Sequence, residues 1–416
     1  MRRWTALAVL AAVGLVAGFS FAVNGAHPAQ AASSVKGGLN VEPSMRPWHY
    51  IGANPQSWWC VLPNCTSDFS NPVATIKHEL AEAAAVGADQ VRLEIPWPVI
   101  ETSNGTFDWS RADAIFAAAQ TAGITILPTL MWTPQWDGGG SVLNLPPSNV
   151  SEWAVFVTAF AVRYGSQTPQ IEVWNEPDDG TYLYNGSAQT YVSSLLNPAY
   201  TAIKAVNPSI QVVGGSSVND AGSCCAFLSA MIADGGKFDI ASFHNYVGTY
   251  TSEANSYRST LNGAGMAGKP VWMTEFGVQS ASGNQSAALT SVFVSGSSNL
   301  AQADWYNLRD TAAWNCCPPV ISGAAATWGI EDPNFVRKAS FTTLQGLLGG
   351  TPPTPTPTVT ATPTATPTPT ATPTPTPTPT PSPTPSGLPS FTETINVDGH
   401  TCTITVTNGV VTGSCT

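Results

Sequence analysis

Apolar residues along the first 350 positions alternate between two periods. Short apolar runs that read as strands lie at 49–53, 90–96, 125–131, 170–175, 211–215, 239–244, 271–275 and 303–308. Between them the period changes to that of a helix. Ile76, Leu80, Ala83, Ala84 and Gly87 share one face, with Pro72 near the start. Ala112, Ile115, Phe116, Ala119 and Ala122 share another, and Gly123 is placed to stop that helix. Val150, Trp153, Ala154, Val157, Ala161 and Tyr164 form a third stripe ending at Gly165. The next helix carries Pro198, which predicts a kink or a split. Eight strand–helix repeats predict an α/β fold, a (β/α)8 TIM barrel. An open doubly wound sheet is the runner-up. It is weakened by Ile51-Gly52-Ala53-Asn54, which has one glycine where a phosphate-binding turn needs several.

Outside this block the pattern breaks three times. Met1-Arg2-Arg3, an apolar run from Trp4 to Val23 and Ala29-Gln30-Ala31 have the form of a secretory signal cleaved after Ala31, with Ala26 or an uncleaved anchor as alternatives. Residues 351–386 are a Thr-Pro repeat, which favours extended polyproline II and spans roughly 110 Å at about 3.1 Å per residue. Residues 387–416 carry two hairpin signals, Asp398-Gly399 and Asn408-Gly409. Those turns place Thr407 opposite Val410, Cys402 opposite Cys415 and Ile395 opposite Cys402, a disulfide-stapled three-stranded β-meander from about 393 onwards. Phe391 is the tail's one aromatic ring, so the tail reads as an attachment module rather than a sugar binder. The organisation expected is signal peptide 1–31, catalytic barrel 32–350, linker 351–386 and β-module 387–416.

Composition narrows the function. Charged residues make up 10% of the chain against about 25% in an ordinary soluble domain, and the net charge is −11. A chain so poor in cations has no patch for a phosphate backbone, which argues against nucleic acid. Export makes the eight cysteines disulfide candidates. Cys60 and Cys65 close a short loop, and Cys402 pairs with Cys415. The adjacent pairs Cys224-Cys225 and Cys316-Cys317 allow three connectivities. Two vicinal bridges are favoured, because a cross-link between the pairs would drag two loops over the barrel mouth. None of the cysteines has the spacing of a zinc site, and no cofactor or metal is expected.

Active groups of a barrel sit at the carboxyl ends of its strands. The polar residues there are Arg92 and Glu94, Asn175 and Glu176, His244 and Tyr246, and Glu275, with Trp305 on the last strand. Two carboxylates facing each other across the mouth are the equipment of glycoside hydrolysis, one as acid and one as nucleophile or base. Trp174-Asn175-Glu176-Pro177, followed 99 residues later by Thr274-Glu275-Phe276-Gly277, resembles the clan A glycoside hydrolases. Gly105-Thr106-Phe107-Asp108-Trp109, Thr133-Pro134-Gln135-Trp136, His244-Asn245-Tyr246 and Trp305-Tyr306-Asn307-Leu308-Arg309-Asp310 are more similar to family 39 and its relatives than to family 5.

The resemblance implies Glu176 as acid/base and Glu275 as nucleophile of a retaining enzyme. It also implies that Asn175 bonds the sugar 2-hydroxyl, Tyr246 positions Glu275 and Trp305 floors the subsite of the cleaved sugar. From the residues themselves, Arg92 would keep Glu275 ionised, while Glu94 is either a substrate contact or a partner of Arg92. His244 is a substrate contact or a core histidine. Trp132 and Trp136 are candidate sugar platforms. Glu172 reads as an inward structural or a helix-facing carboxylate, and Glu331 and Asp332 as solvated. The function expected is a secreted, monomeric β-glycoside hydrolase, endo-acting on an oligo- or polysaccharide and attached to a cell surface through linker and tail. The alternatives are an exo-acting β-xylosidase-like enzyme, a non-catalytic glycan-binding barrel and an adhesin.

Overall fold

The computed structural model describes residues 35–41, 72–140, 143–180, 183–218, 224–310, 314–316, 321–323, 326–350, 391–397, 400–407 and 410–415. The signal segment, the strand expected at 49–53, Cys60, Cys65, Cys317 and the linker lie outside these residues, as do the side chains of Cys316, Cys402 and Cys415.

Eight strands close into a parallel barrel. They are β1 (Lys36–Asn40), β2 (Gln90–Pro96), β3 (Thr125–Met131), β4 (Gln170–Val173), β5 (Gln211–Ser217), β6 (Ile240–Asn245), β7 (Val271–Phe276) and β8 (Leu300–Trp305). Each pairs with its sequence neighbours, and β1 closes the ring against β8. Eight helices alternate with them: α1 (Pro72–Val86), α2 (Ser110–Ala122), α3 (Val150–Tyr164), α4 (Asn197–Val206), α5 (Ala226–Ala233), α6 (Tyr250–Gly263), α7 (Gln285–Phe293) and α8 (Ala339–Leu348). Among the described residues no helix is long and apolar enough to cross a membrane.

Most elements fall where the periodicity places them. Gly123 ends α2 in the left-handed region at φ 69°, a conformation that glycine adopts without a Cβ clash. Asn149 caps α3 by accepting from the Ser151 N–H. The helix carrying Pro198 is split, with a helical turn at Ala188–Tyr191 and a π-turn at Val192–Leu196 before α4.

The first strand is a correction. The barrel takes Lys36-Gly37-Gly38-Leu39-Asn40, not the run at 49–53. Two glycines hide this strand from a hydrophobicity reading, and packing explains both. A Cβ on Gly38 would lie 2.2 Å from Asp304 Oδ1, and one on Gly37 would lie 2.4 Å from Leu348 Cδ2. The last strand begins three residues earlier than the apolar run suggests. Its Gln302 and Asp304 are buried: Gln90 Nε2 and Gln302 Nε2 both donate to the Asp304 carboxylate, at 2.9 and 2.6 Å.

Three antiparallel strands form a separate sheet at the carboxyl end: β9 (Phe391–Val397), β10 (His400–Thr407) and β11 (Val410–Cys415). Their register pairs Ile395 with Cys402, Cys402 with Cys415 and Thr407 with Val410, as the two turn signals require. The first strand starts at Phe391, two residues before the position expected.

Candidate active site

Arg92 on β2 organises the inner layer of the barrel. It is 3% exposed and donates to four partners on three other strands or their ends. Its Nε reaches Glu172 at 2.6 Å, Nη1 reaches Glu275 at 2.5 Å and Asn40 at 2.9 Å, and Nη2 reaches Asn175 at 2.7 Å. Glu172 sits beneath the mouth with no exposure and also accepts from the hydroxyls of Thr129 and Ser216. Burial alone would protonate it. The Arg92 charge, His244 and the two hydroxyls win, and hold its carboxyl below the usual range. A guanidinium with four fixed acceptors is a rigid floor on which Glu275 and Asn175 stand.

Glu275 ends β7 with one carboxylate oxygen on Arg92 and the other accepting from the Tyr246 hydroxyl. Burial first, and then the nearby Glu275 charge, push the Tyr246 phenol well above its ordinary range, so it remains a donor. Glu275 is therefore bracketed by two donors, one on each carboxylate oxygen.

Glu176 follows β4 through a strained turn. Trp174 and Glu176 both adopt positive φ, at 67° and 45°, which turns the glutamate back over the barrel axis. The turn is pinned by the Trp174 indole N–H on the Leu183 carbonyl at 3.0 Å. Asp178 pins it further by accepting from the Ser217 hydroxyl and the Val218 N–H. His244 Nδ1 is 2.8 Å from Glu176 Oε1 and 3.7 Å from Glu275 Oε2. Burial raises the Glu176 carboxyl, His244 opposes that rise and repulsion from Glu275 adds to it; the outcome is a raised value. For His244, burial favours the neutral ring, and the two glutamates outweigh it to raise its pKa. Histidine and both glutamates each offer an atom within 4.8 Å of the others, a donor set that a divalent ion would also accept. Glu176 and Glu275 are thus adjacent carboxyls in different surroundings: two donors hold the oxygens of Glu275, and burial raises Glu176.

The aromatic residues divide differently from expectation. Trp305 has no exposed surface; its indole N–H donates to the Trp328 carbonyl at 3.1 Å and its ring packs edge-on against Phe276. It belongs to the barrel wall and offers no face to a sugar. The next residue, Tyr306, is half-buried and forms an aromatic corner with Tyr246 and Trp328, with ring centroids 4.9 to 6.0 Å apart. Trp132 is likewise buried, at 1%, against Trp174. Trp136 is half-buried and keeps a free edge beside Trp97, its N–H on the Glu101 carbonyl. Burial of a ring on the carboxyl side of a strand depends on which way the next turn folds, and no residue type signals that. Glu94 is half-buried two residues above Arg92 on the same strand. Glu331, expected to be solvated, has no exposure at all.

One functional neighbour escapes a sequence reading. Asn40 belongs to the glycine-marked strand, and its amide ties Arg92 to the Thr274 carbonyl beside Glu275. Trp328 lies beyond β8 on a segment without periodicity. Of the adjacent cysteines, Cys224 and Cys225 are joined to each other at the start of α5, with Cα atoms 3.7 Å apart.

The family model for Cellulase (glycosyl hydrolase family 5) matches residues 57–310. No curated protein matches the chain. Among solved structures, a family 39 glycoside hydrolase from the gut symbiont Bacteroides cellulosilyticus WH2 aligns with TM-score 0.55 and 16% identity over 92% of this chain and 70% of that one. A GH39 β-xylosidase from Caulobacter crescentus gives 0.53 and 18% over 74% of this chain and 73% of its own. GH5_18 from Streptomyces cattleya in complex with GlcNAc gives 0.56 and 14% over 76% and 80%. At these identities the structural likeness speaks for the fold alone, while the family model supports the resemblance to clan A through family 5. A closed barrel with paired glutamates at its mouth, matched by a family model over more than half its length, makes this chain a glycosidase that belongs to the Cellulase family, glycosyl hydrolase family 5.

Proposed function

We propose that the protein is a secreted retaining β-glycoside hydrolase in which Glu275 is the nucleophile and Glu176 the acid/base. The observation that carries this reading is proximity. The nearest donor oxygens of Glu176 and Glu275 lie within 4.8 Å. Retaining enzymes hold their carboxyl groups about 5–5.5 Å apart, while inverting ones need about 6.5–9.5 Å to admit a water.

In the first half-reaction the Glu275 carboxylate attacks the anomeric carbon. Arg92 and Tyr246 hold its two oxygens and fix the line of attack. Glu176, kept protonated by burial and by the neighbouring charge, gives its proton to the leaving oxygen. In the second half-reaction its carboxylate takes a proton from water, which attacks the glycosyl–Glu275 ester and frees the nucleophile. His244 Nδ1 lies 2.8 Å from Glu176 Oε1, within hydrogen-bond reach of the acid/base in both half-reactions. Asn175 gives its Oδ1 to Arg92, which leaves its amide N–H groups for the sugar. The half-buried Tyr306, Trp328 and Trp136 are the rings available to a sugar, in place of the buried Trp305 and Trp132.

The substrate class is an oligo- or polysaccharide, with endo-action supported by several mouth-side rings. Residues 32–350 are the catalytic unit. Export by 1–31 and surface attachment through 351–386 and 387–416 fit the charge-poor composition. Assaying the purified monomer on a polysaccharide panel, with product size and first-formed anomer read by NMR, tests the whole reading. An inverted first product would sink the assignment of Glu275 as nucleophile, and monosaccharide release from chain ends would replace endo- with exo-action.

A further inference from the structure

A second cluster lies away from the paired glutamates. His78 and Glu82 stand one turn apart on α1, and Glu331 comes from the segment after β8. Each offers one donor atom within 4.8 Å of the other two. Glu331 has no exposed surface, yet neither of its carboxylate oxygens has a hydrogen-bond partner. His78 Nε2 is in the same condition. It faces Glu331 Oε2 at 3.6 Å, too far for a hydrogen bond. The neighbouring charges do not close the account. Arg337 forks onto both oxygens of Glu82, at 2.7 and 2.9 Å, and Arg309 pairs with Glu79 at 3.2 Å. Glu331 is left facing the His78 imidazole and the Glu82 carboxyl.

We propose that His78, Glu82 and Glu331 form a binding site for a divalent transition metal, Zn²⁺ by its chemistry. Ligands at about 2.0–2.2 Å from a tetrahedral ion stand about 3.4 Å from each other, close to the 3.6 Å between His78 Nε2 and Glu331 Oε2. One imidazole with two carboxylates suits zinc and its neighbours better than calcium or magnesium, which prefer oxygen alone. A helical pair at i and i+4 presents two ligands on one face. The ion would clasp α1 to the segment that also carries Trp328, so its role is structural, and it is independent of the reaction assigned to Glu176 and Glu275.

The test uses the full chain, stripped with a chelator and titrated with zinc chloride by calorimetry, with melting temperature as a second readout. The expected result is one site per chain and a raised melting temperature. His78→Ala and the isosteric Glu331→Gln should each weaken binding at least tenfold and abolish the thermal gain, with circular dichroism unchanged. Glu275→Gln should bind zinc as the wild type does. Three results would each overturn the proposal: no binding, binding that survives His78→Ala, and binding lost in Glu275→Gln, which would place the ion among Glu176, His244 and Glu275. If Glu331→Gln does not fold, the half-exposed His78→Ala decides alone.

Discussion

Replacing Arg92 by Met removes a cation that holds Glu172 and Glu275, at 2.6 and 2.5 Å, in a layer with almost no access to water. Breaking a buried pair from one side costs about 3–5 kcal/mol, because the remaining charge has no partner. Glu172 has a way to limit that cost, which is to take up a proton. From an ordinary glutamate value, protonation costs about 3.7 kcal/mol at pH 7 and about 1 kcal/mol at pH 5. The sign follows from linkage. In the wild type Glu172 is depressed in the folded state, so its contribution is present above the unfolded value and is lost as pH falls through the folded one. In Arg92→Met the same group is raised, so the folded variant loses stability as pH rises. The destabilisation should be about 4 kcal/mol at pH 7 and about 2–3 kcal/mol smaller at pH 5. Denaturant unfolding of both proteins at the two pH values measures this difference, and groups that titrate alike in both proteins cancel. An equal loss at pH 5 and pH 7 would refute the claim that Glu172 is a charged, Arg92-dependent carboxylate.

The remaining predictions concern chemistry, pH and cysteine. Glu176→Gln should lose about 10²–10⁴-fold in kcat on natural glycosides but far less on aryl glycosides with acidic leaving groups, since those need no proton; equal losses on both would deny it the acid role. Glu275→Gln should lose turnover on both kinds of substrate while remaining folded. Burial pushes Glu101, Asp137 and Asp304 each up to about 7, so the folded state holds extra protons between the ordinary carboxylate range and pH 7. The melting temperature should therefore fall as pH rises through that window, and Asp304→Asn should flatten the slope; a melting temperature that climbs towards pH 7 would contradict those environments. Unreduced peptide mapping should return Cys224 and Cys225 linked to each other, and a peptide joining the 224 region to the 316 region would refute the vicinal pair.

Legibility in this chain follows the physics of each element. Strands whose side chains meet a ring of apolar helices read clearly, because Val91, Leu93 and Ile95 alternate along Gln90–Pro96 and Thr125–Met131 is largely apolar. The glutamates were legible through their fixed flanks: Glu176 needs a turn that Trp174 and Pro177 can support, and Glu275 sits at the end of an apolar strand. What stayed hidden was set by contact across the barrel. Gly37 and Gly38 are glycine because α8 and Asp304 fill the space a Cβ would take, and a local window sees only two weak strand formers. Gln302 and Asp304 look like surface polars until Gln90 is brought to them. Trp305 and Tyr306 are both aromatic, and which of them faces the mouth is decided by a turn one residue long.

The same long-range logic explains how the two glutamates acquire different roles. Local sequence does not set the roles: Glu275 lies next to Phe276 at the end of β7, and Glu176 follows β4 between Asn175 and Pro177. Their difference is imported from elsewhere in the barrel. Glu275 receives Arg92 from β2 and Tyr246 from the end of β6, one donor on each of its oxygens. Glu176 receives one imidazole and otherwise burial, which favours its neutral form. Arg92 does not touch Glu176, being turned away by its bonds to Glu172, Asn40 and Asn175. Glu172 therefore shapes the chemistry without reaching the substrate, because it fixes the direction in which the guanidinium points. A Glu172→Gln variant retains the hydrogen-bonding shape but loses the charge that anchors Arg92. Arg92 is then free to shift its charge towards the mouth. There it would stabilise the ionised form of Glu176, and the upper limb of the pH–rate profile should move to lower pH while the carboxyl spacing stays the same.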